Sequence, residues 1–126
     1  MEQNERVQLI RRDELGEGQA TAGMARSQAF TSDDCWTGTV VIEPRTASGW
    51  HHHGEHRSYL YIVRGKASFE NEAGERLDAS SGDFVFVGPR EIHREINPGD
   101  QPSEVVLFRI GSGPVVVNVE VQSGQT

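Results

Sequence analysis

Four of the five histidines, His51, His52, His53 and His56, fall within six consecutive positions, and the fifth, His93, follows forty residues after His53. Imidazole is the commonest protein ligand for divalent metals and binds as the neutral ring populated near pH 7. In a β-strand the side chains at i and i+2 share a face, so His51 and His53 converge while His52 points away. A third imidazole, from His93 on a neighbouring strand, completes a three-sided site for one divalent transition metal. Such a site leaves adjacent positions open for a substrate and for dioxygen or water. Solvated surface histidines are the plain alternative, and the crowding of all five into two short patches argues against it.

The same alternation extends the candidate pocket. If residues 91–97 are extended, Glu95 shares the face of His93 and is the candidate catalytic acid or base; a salt bridge near the rim is the structural alternative. Ser58, Leu60 and Ile62 share one face of the run SYLYIVR and line the substrate pocket, Ser58 as a small residue. Tyr59, Tyr61 and Trp50 then point outward, more exposed aromatics in one region than a monomer usually shows, which suggests a homodimer. Arg26, Arg90 and Arg94 are either anchors for an anionic ligand or ordinary solvated arginines. Asn97 serves its turn through side-chain to backbone hydrogen bonds.

The elements that must hold these residues are short and β-like. Strands are expected at Val7–Ile10, Trp36–Glu43, Ser58–Arg64, Lys66–Glu70, Arg76–Ala79, Phe84–Val87, Glu91–Asn97, Glu104–Ile110 and Val115–Glu120, with Phe84–Val87 buried on both faces. Ala20–Phe30 reads as an extended edge segment, and Thr31–Asp34, Asn71–Glu75 and Ser80–Asp83 as turns. Fourteen glycines between short apolar runs fit a turn-rich all-β protein. At 126 residues the chain reads as one domain, its core at about 36–120 and its two ends polar.

Nineteen acidic against twelve basic residues give a net charge of −7, which disfavours a nucleic-acid partner. No segment reaches membrane-spanning length and the first sixteen residues lack an apolar signal region, so no membrane partner and a cytoplasmic location are expected. The single cysteine, Cys35, cannot form an intramolecular disulfide and fits a reducing compartment.

With these residues in place, the chain resembles the cupin superfamily, in particular its small single-domain members. The family's first motif has a glycine, then H-x-H, a glutamate and a closing glycine. His51, His53 and Gly65 fit it, which puts Ser58 at the glutamate position. In the second motif Gly82, His93 and Asn97 fit without adjustment, while Gly88 holds the proline position and Arg90 the inner glycine position. The resemblance covers residues 49–97 directly. It implies a double-stranded β-helix, a jelly-roll barrel with a metal inside. With Ser58 in place of glutamate, it implies three neutral imidazoles and no carboxylate, unless Glu55 or His56 fills the gap, His56 as a fourth nitrogen.

The resemblance further implies a mononuclear metalloenzyme of the three-histidine dioxygenase type, using iron(II) on a small chelating organic substrate. Zinc, nickel or manganese in the same ligands would instead suit hydrolysis or isomerisation. A cupin that binds a small molecule without turnover is the other reading, and the discriminator is an acid or base within reach of the metal.

Overall fold

Strict alternation of buried and exposed side chains organises the molecule, as in Arg57–Arg64, where Ser58, Leu60 and Ile62 are buried and Tyr59, Tyr61 and Val63 are exposed. The computed structural model describes residues 6–121. One 3₁₀ turn at Arg12–Glu14 precedes twelve strands: β1 (Gly16–Glu17), β2 (Met24–Ser32), β3 (Cys35–Ile42), β4 (Thr46–Ala47), β5 (His51–His52), β6 (Arg57–Arg64), β7 (Lys66–Asn71), β8 (Arg76–Ser80), β9 (Phe84–Val87), β10 (His93–Asn97), β11 (Ser103–Ile110) and β12 (Val117–Asn118).

They form two antiparallel sheets. The first has the order β1-β2-β3-β11-β6-β9, the second β12-β5-β10-β7-β8, with β4 also pairing with β10. This is the all-β double-stranded β-helix expected from the sequence. The expected barrel, however, is open: among the described residues the two ladders share no strand and do not close into one ring. Between the sheets Val40, Ile42, Leu60, Ile62, Phe69, Val105 and Leu107 form the core. Truncating a fully buried member such as Leu107 to alanine costs roughly 2–5 kcal/mol.

Two left-handed backbone positions shape the turns within the motif region. Gly65 turns β6 into β7 at φ 82°, and a Cβ there would lie 2.7 Å from Ser103 Cα, so only glycine fits on both grounds. Arg90 stands where the motif has glycine and adopts φ 56°, keeping the left-handed turn that glycine would make, while its N–H donates to the Gly54 carbonyl. At the other end of β10 the buried Asn97 donates through Nδ2 to the Ile42 and Gln101 carbonyls and accepts the Gly99 N–H. It closes the turn as expected and also ties β10 to β3 in the opposite sheet.

Several expectations are corrected. Val7–Ile10 forms no strand; Val7 and Leu9 are exposed. The segment read as an edge begins late, at Met24, runs through Ser32, and is covered by β1. Phe84–Val87 is not buried on both faces: β9 is a sheet edge whose outward side chains Phe84 and Phe86 are 80% and 54% exposed, while Val87 points inward. Its apolar outer face comes from an aromatic surface shared with β6, not from a second layer. Of Val115–Glu120 only Val117–Asn118 pairs, against β5. Among the described residues no helix is long and apolar enough to cross a membrane.

Candidate metal centre

β5 and β10 run side by side in the second sheet with His51 directly across from His93. Directly opposed side chains of an antiparallel pair lie close together, and the two rings stand with centroids 4.5 Å apart. His53 follows His51 by two residues and brings its ring 4.9 Å from that of His51 and 5.1 Å from that of His93. All three are buried. Each uses Nδ1 on a backbone carbonyl: His51 on Gly49 at 2.8 Å, His53 on Val115 at 2.8 Å and His93 on Glu91 at 2.8 Å. An Nδ1–H that donates to a carbonyl leaves Nε2 as the free lone pair, so the backbone fixes both tautomer and ring orientation.

Glu95, two residues after His93 on the same face, closes the group. Its Oε2 lies 3.1 Å from His93 Nε2 and 3.6 Å from His51 Nε2. One donor atom from each of His51, His53, His93 and Glu95 falls within 4.8 Å of the others. Two ligands on one first-row cation sit about 3.4 Å apart in a tetrahedron and about 4.2 Å apart when opposite, so this set fits a divalent metal with slight contraction. The carboxylate is therefore supplied after all, from the second motif and not from the loop after the first.

The charges suit that use. Burial lowers His53 to about 3, helped by the charge of Arg109, which keeps the ring neutral. At Glu95 burial opposes ionisation, but the hydrogen bonds and charges of His51 and His93 outweigh it and hold the carboxyl well below its usual range. Burial likewise works against a charged His51, but Glu95 and the Gly49 carbonyl raise it above its ordinary value. A cation bound here would compete with protons for His51 Nε2.

The facing wall belongs to the first sheet. Ser58, Leu60, Val87, Val105, Leu107 and Arg109 enclose, with His53 and Glu95, a cavity of about 20 Å³, room for about one water. Arg109 is buried, pairs across the β11–β6 ladder with Ser58, and donates from Nε to Ser58 Oγ at 3.3 Å. Arg109 and Arg26 also line an outer groove of about 330 Å³ together with Trp36, Gln28 and His56.

The structure thus brings together His51, His53, His93 and Glu95, with Ser58 and Leu60 on the facing wall. It does not bring in the other candidates. His56 is buried but hydrogen-bonds to the His53 carbonyl at 2.9 Å and faces the outer groove, because its place in the turn after β5 points it away from the other rings. Glu55 is exposed and paired with Arg90. Ile62 is completely buried in the core, one strand position beyond the cavity. His52 points away and accepts the Gly54 N–H. Arg109 was missed: it reads as one arginine ending the run VVLFR. The available signal was its place on the inward phase set by Val105 and Leu107.

A model of the cupin domain matches residues 38–109, more than half of the chain. The chain belongs to the cupin family. Solved structures agree on the fold of this cupin. It is similar to a conserved double-stranded β-helix protein of Klebsiella pneumoniae (18% identity, 93% of this chain and 99% of that one, TM-score 0.71). It is similar also to the polyketide cyclase RemF of Streptomyces resistomycificus (14% identity, 93% and 88%, TM-score 0.78). A third similar structure is a predicted oxalate decarboxylase of Thermotoga maritima (17% identity, 83% and 100%, TM-score 0.72). No curated protein matches the sequence.

Proposed function

We propose that this cupin is a mononuclear metalloenzyme of the dioxygenase type, acting on a small chelating organic substrate with iron(II) held by His51, His53, His93 and Glu95. One observation carries the reading: three backbone-oriented Nε2 atoms and one carboxylate converge within 4.8 Å. When bound, the metal supplies Lewis acidity and open positions for substrate oxygens and dioxygen. The chain's own residues do the rest. The three Nδ1 hydrogen bonds aim the rings, with Nε2 turned towards the centre. Leu60, Val87 and Leu107 on the facing wall keep bulk water out. Glu95 offers Oε2 to the metal, and its Oε1, without a hydrogen bond among the described residues, is the nearest proton acceptor for a substrate hydroxyl.

The carboxylate also favours a second reading, since three imidazoles plus one anion suit zinc, nickel or manganese in non-oxidative chemistry or in ligand binding without turnover. Reconstitution separates the two. Protein loaded in turn with iron(II), manganese, zinc and nickel is assayed for oxygen uptake with diketones and catechols. Uptake only with iron supports the dioxygenase; no uptake with any metal contradicts it and leaves the second reading.

A homodimer belongs to the same proposal. Phe108, Tyr59 and Phe86 stand in one cross-strand row on the outer face of the first sheet, with Tyr61 and Phe84 in the next. All five side chains are exposed, an apolar face that a second copy would cover. The lone Cys35 fits a reducing compartment, and we place the enzyme in the cytoplasm.

A further inference from the structure

Two arginines face the interior, and neither has an anionic partner among the described residues. Arg109 is 7% exposed; its one hydrogen bond to the described residues is from Nε to Ser58 Oγ. Arg26 makes only neutral contacts, to the Gln19 carbonyl and Thr21 Oγ1 at 3.3 Å each and to Met24 Sδ at 3.9 Å. Two further arginines near the histidine motifs, Arg90 and Arg94, are already engaged. Arg90 pairs with Glu55 at the surface, while Arg94 bonds to Glu70 at 2.8 Å and lies over the Trp50 ring.

Arg26 and Arg109 are also the two residues common to the inner cavity and the outer groove, so they stand between the two. A buried guanidinium without an anion is unfavourable unless a ligand supplies one. Among the described residues Glu95 is the only carboxylate lining the inner cavity, against two guanidinium groups and the charge of a bound cation, while Glu17 and Asp33 line the outer groove. Burial lowers Arg109 to about 10, the charge of Glu95 opposing this and that of Arg26 adding to it, so it stays protonated at neutral pH.

We infer that Arg109 and Arg26 form a carboxylate-binding subsite at the mouth of the metal chamber, and that the substrate is a small organic acid. The planar fork of Arg109 matches a carboxylate bidentately. The acid's body then lies in the 330 Å³ groove along Trp36, whose indole N–H is held by Gln28 Oε1 at 2.8 Å. This substrate class rests on the reading of the four-donor cluster as a metal site that binds the same molecule.

The test is titration calorimetry with oxalate, pyruvate and salicylate, each compared with its neutral amide, on metal-loaded and metal-free protein, with metal content measured after each titration. At least one acid is expected to bind saturably to the loaded protein while its amide binds about tenfold or more weakly. Arg109→Met should weaken that acid by about tenfold or more and Arg26→Gln by several-fold, both with metal content unchanged, while Arg90→Gln changes nothing. If Arg109→Met does not fold, Arg26→Gln and the acid-to-amide ratio decide. Equal binding of acid and amide, no binding of any acid, or full affinity in Arg26→Gln and Arg109→Met overturns the subsite. Failure to take up metal overturns the metal reading instead, and residual arginine-dependent binding to metal-free protein would then keep the subsite.

Discussion

The two sheets share one interior and furnish it in opposite ways. The second sheet presents all four members of the candidate metal cluster, His51 and His53 from the β5 segment and His93 and Glu95 from β10. The first sheet presents Ser58, Leu60, Leu107 and Arg109, an apolar wall with a cation in it. In the family motif the position of Ser58 holds a glutamate, which would place the carboxylate on the first sheet. Here it stands on the second, and the space across from it is taken by Arg109, the ladder partner of Ser58. With the carboxylate on the second sheet, the cluster's donors all stand on a single sheet, and in the proposed subsite Arg109 is left for a ligand.

The largest break in this contrast comes from the second sheet. His53→Ala removes a donor without an alternative nearby, and metal content measured by elemental analysis should fall from about one ion per chain to near zero. His52→Ala, in the same strand but facing away, should leave it unchanged. Equal loss in both would mean that alternation does not sort these histidines.

Glu95→Gln keeps the shape and removes the charge, and should weaken metal binding by roughly 30- to 100-fold in a competition assay with a chelating dye. Adding Ser58→Glu to it asks whether the sheets are interchangeable. We expect no recovery, because the new carboxylate would be captured by Arg109; recovery should appear only when Arg109→Met is added as well. Recovery in the double variant would show that position 58 still faces the metal.

Acid sharpens the contrast further. Metal binding needs neutral rings, and His51 is the ring whose proton affinity is raised, by Glu95. Affinity should therefore fall by about tenfold or more per pH unit below that raised value, while Glu95 stays ionised and His53 holds out to about 3. A calorimetric series across pH 8 to about 5 measures it, and a flat profile would contradict the assignment of His51.

The smallest effect on the centre is expected from the outer face of the first sheet. Phe84→Lys with Phe86→Lys should turn a dimer into a monomer in light scattering and leave metal content alone. An unchanged mass in solution, whether monomer or dimer, would remove that face from the account.

Most of the centre was legible because it depends on period two. His51, His53, His93 and Glu95 are all paired at i and i+2, and a strand turns that spacing into a shared face. What could not be read was which sheet a residue would join and what would stand opposite. Arg109 is one charged residue in an alternating run, and only the β11–β6 register sets it beside Ser58. His56 sits in a turn, where spacing says nothing about direction. Phe84 and Phe86 have the apolarity of a core strand, and only the position of β9 at the sheet edge makes them surface residues. Arg90 looked like a departure from the motif, yet its left-handed backbone keeps the turn that the motif requires.

The most direct test of the central claim is metal stoichiometry and affinity in the untagged protein beside His93→Ala, Glu95→Gln and His56→Ala. The account expects about one divalent ion per chain in the wild type and in His56→Ala, a weakened site in Glu95→Gln and none in His93→Ala. A full complement in His93→Ala, or loss in His56→Ala equal to that in His93→Ala, would contradict it.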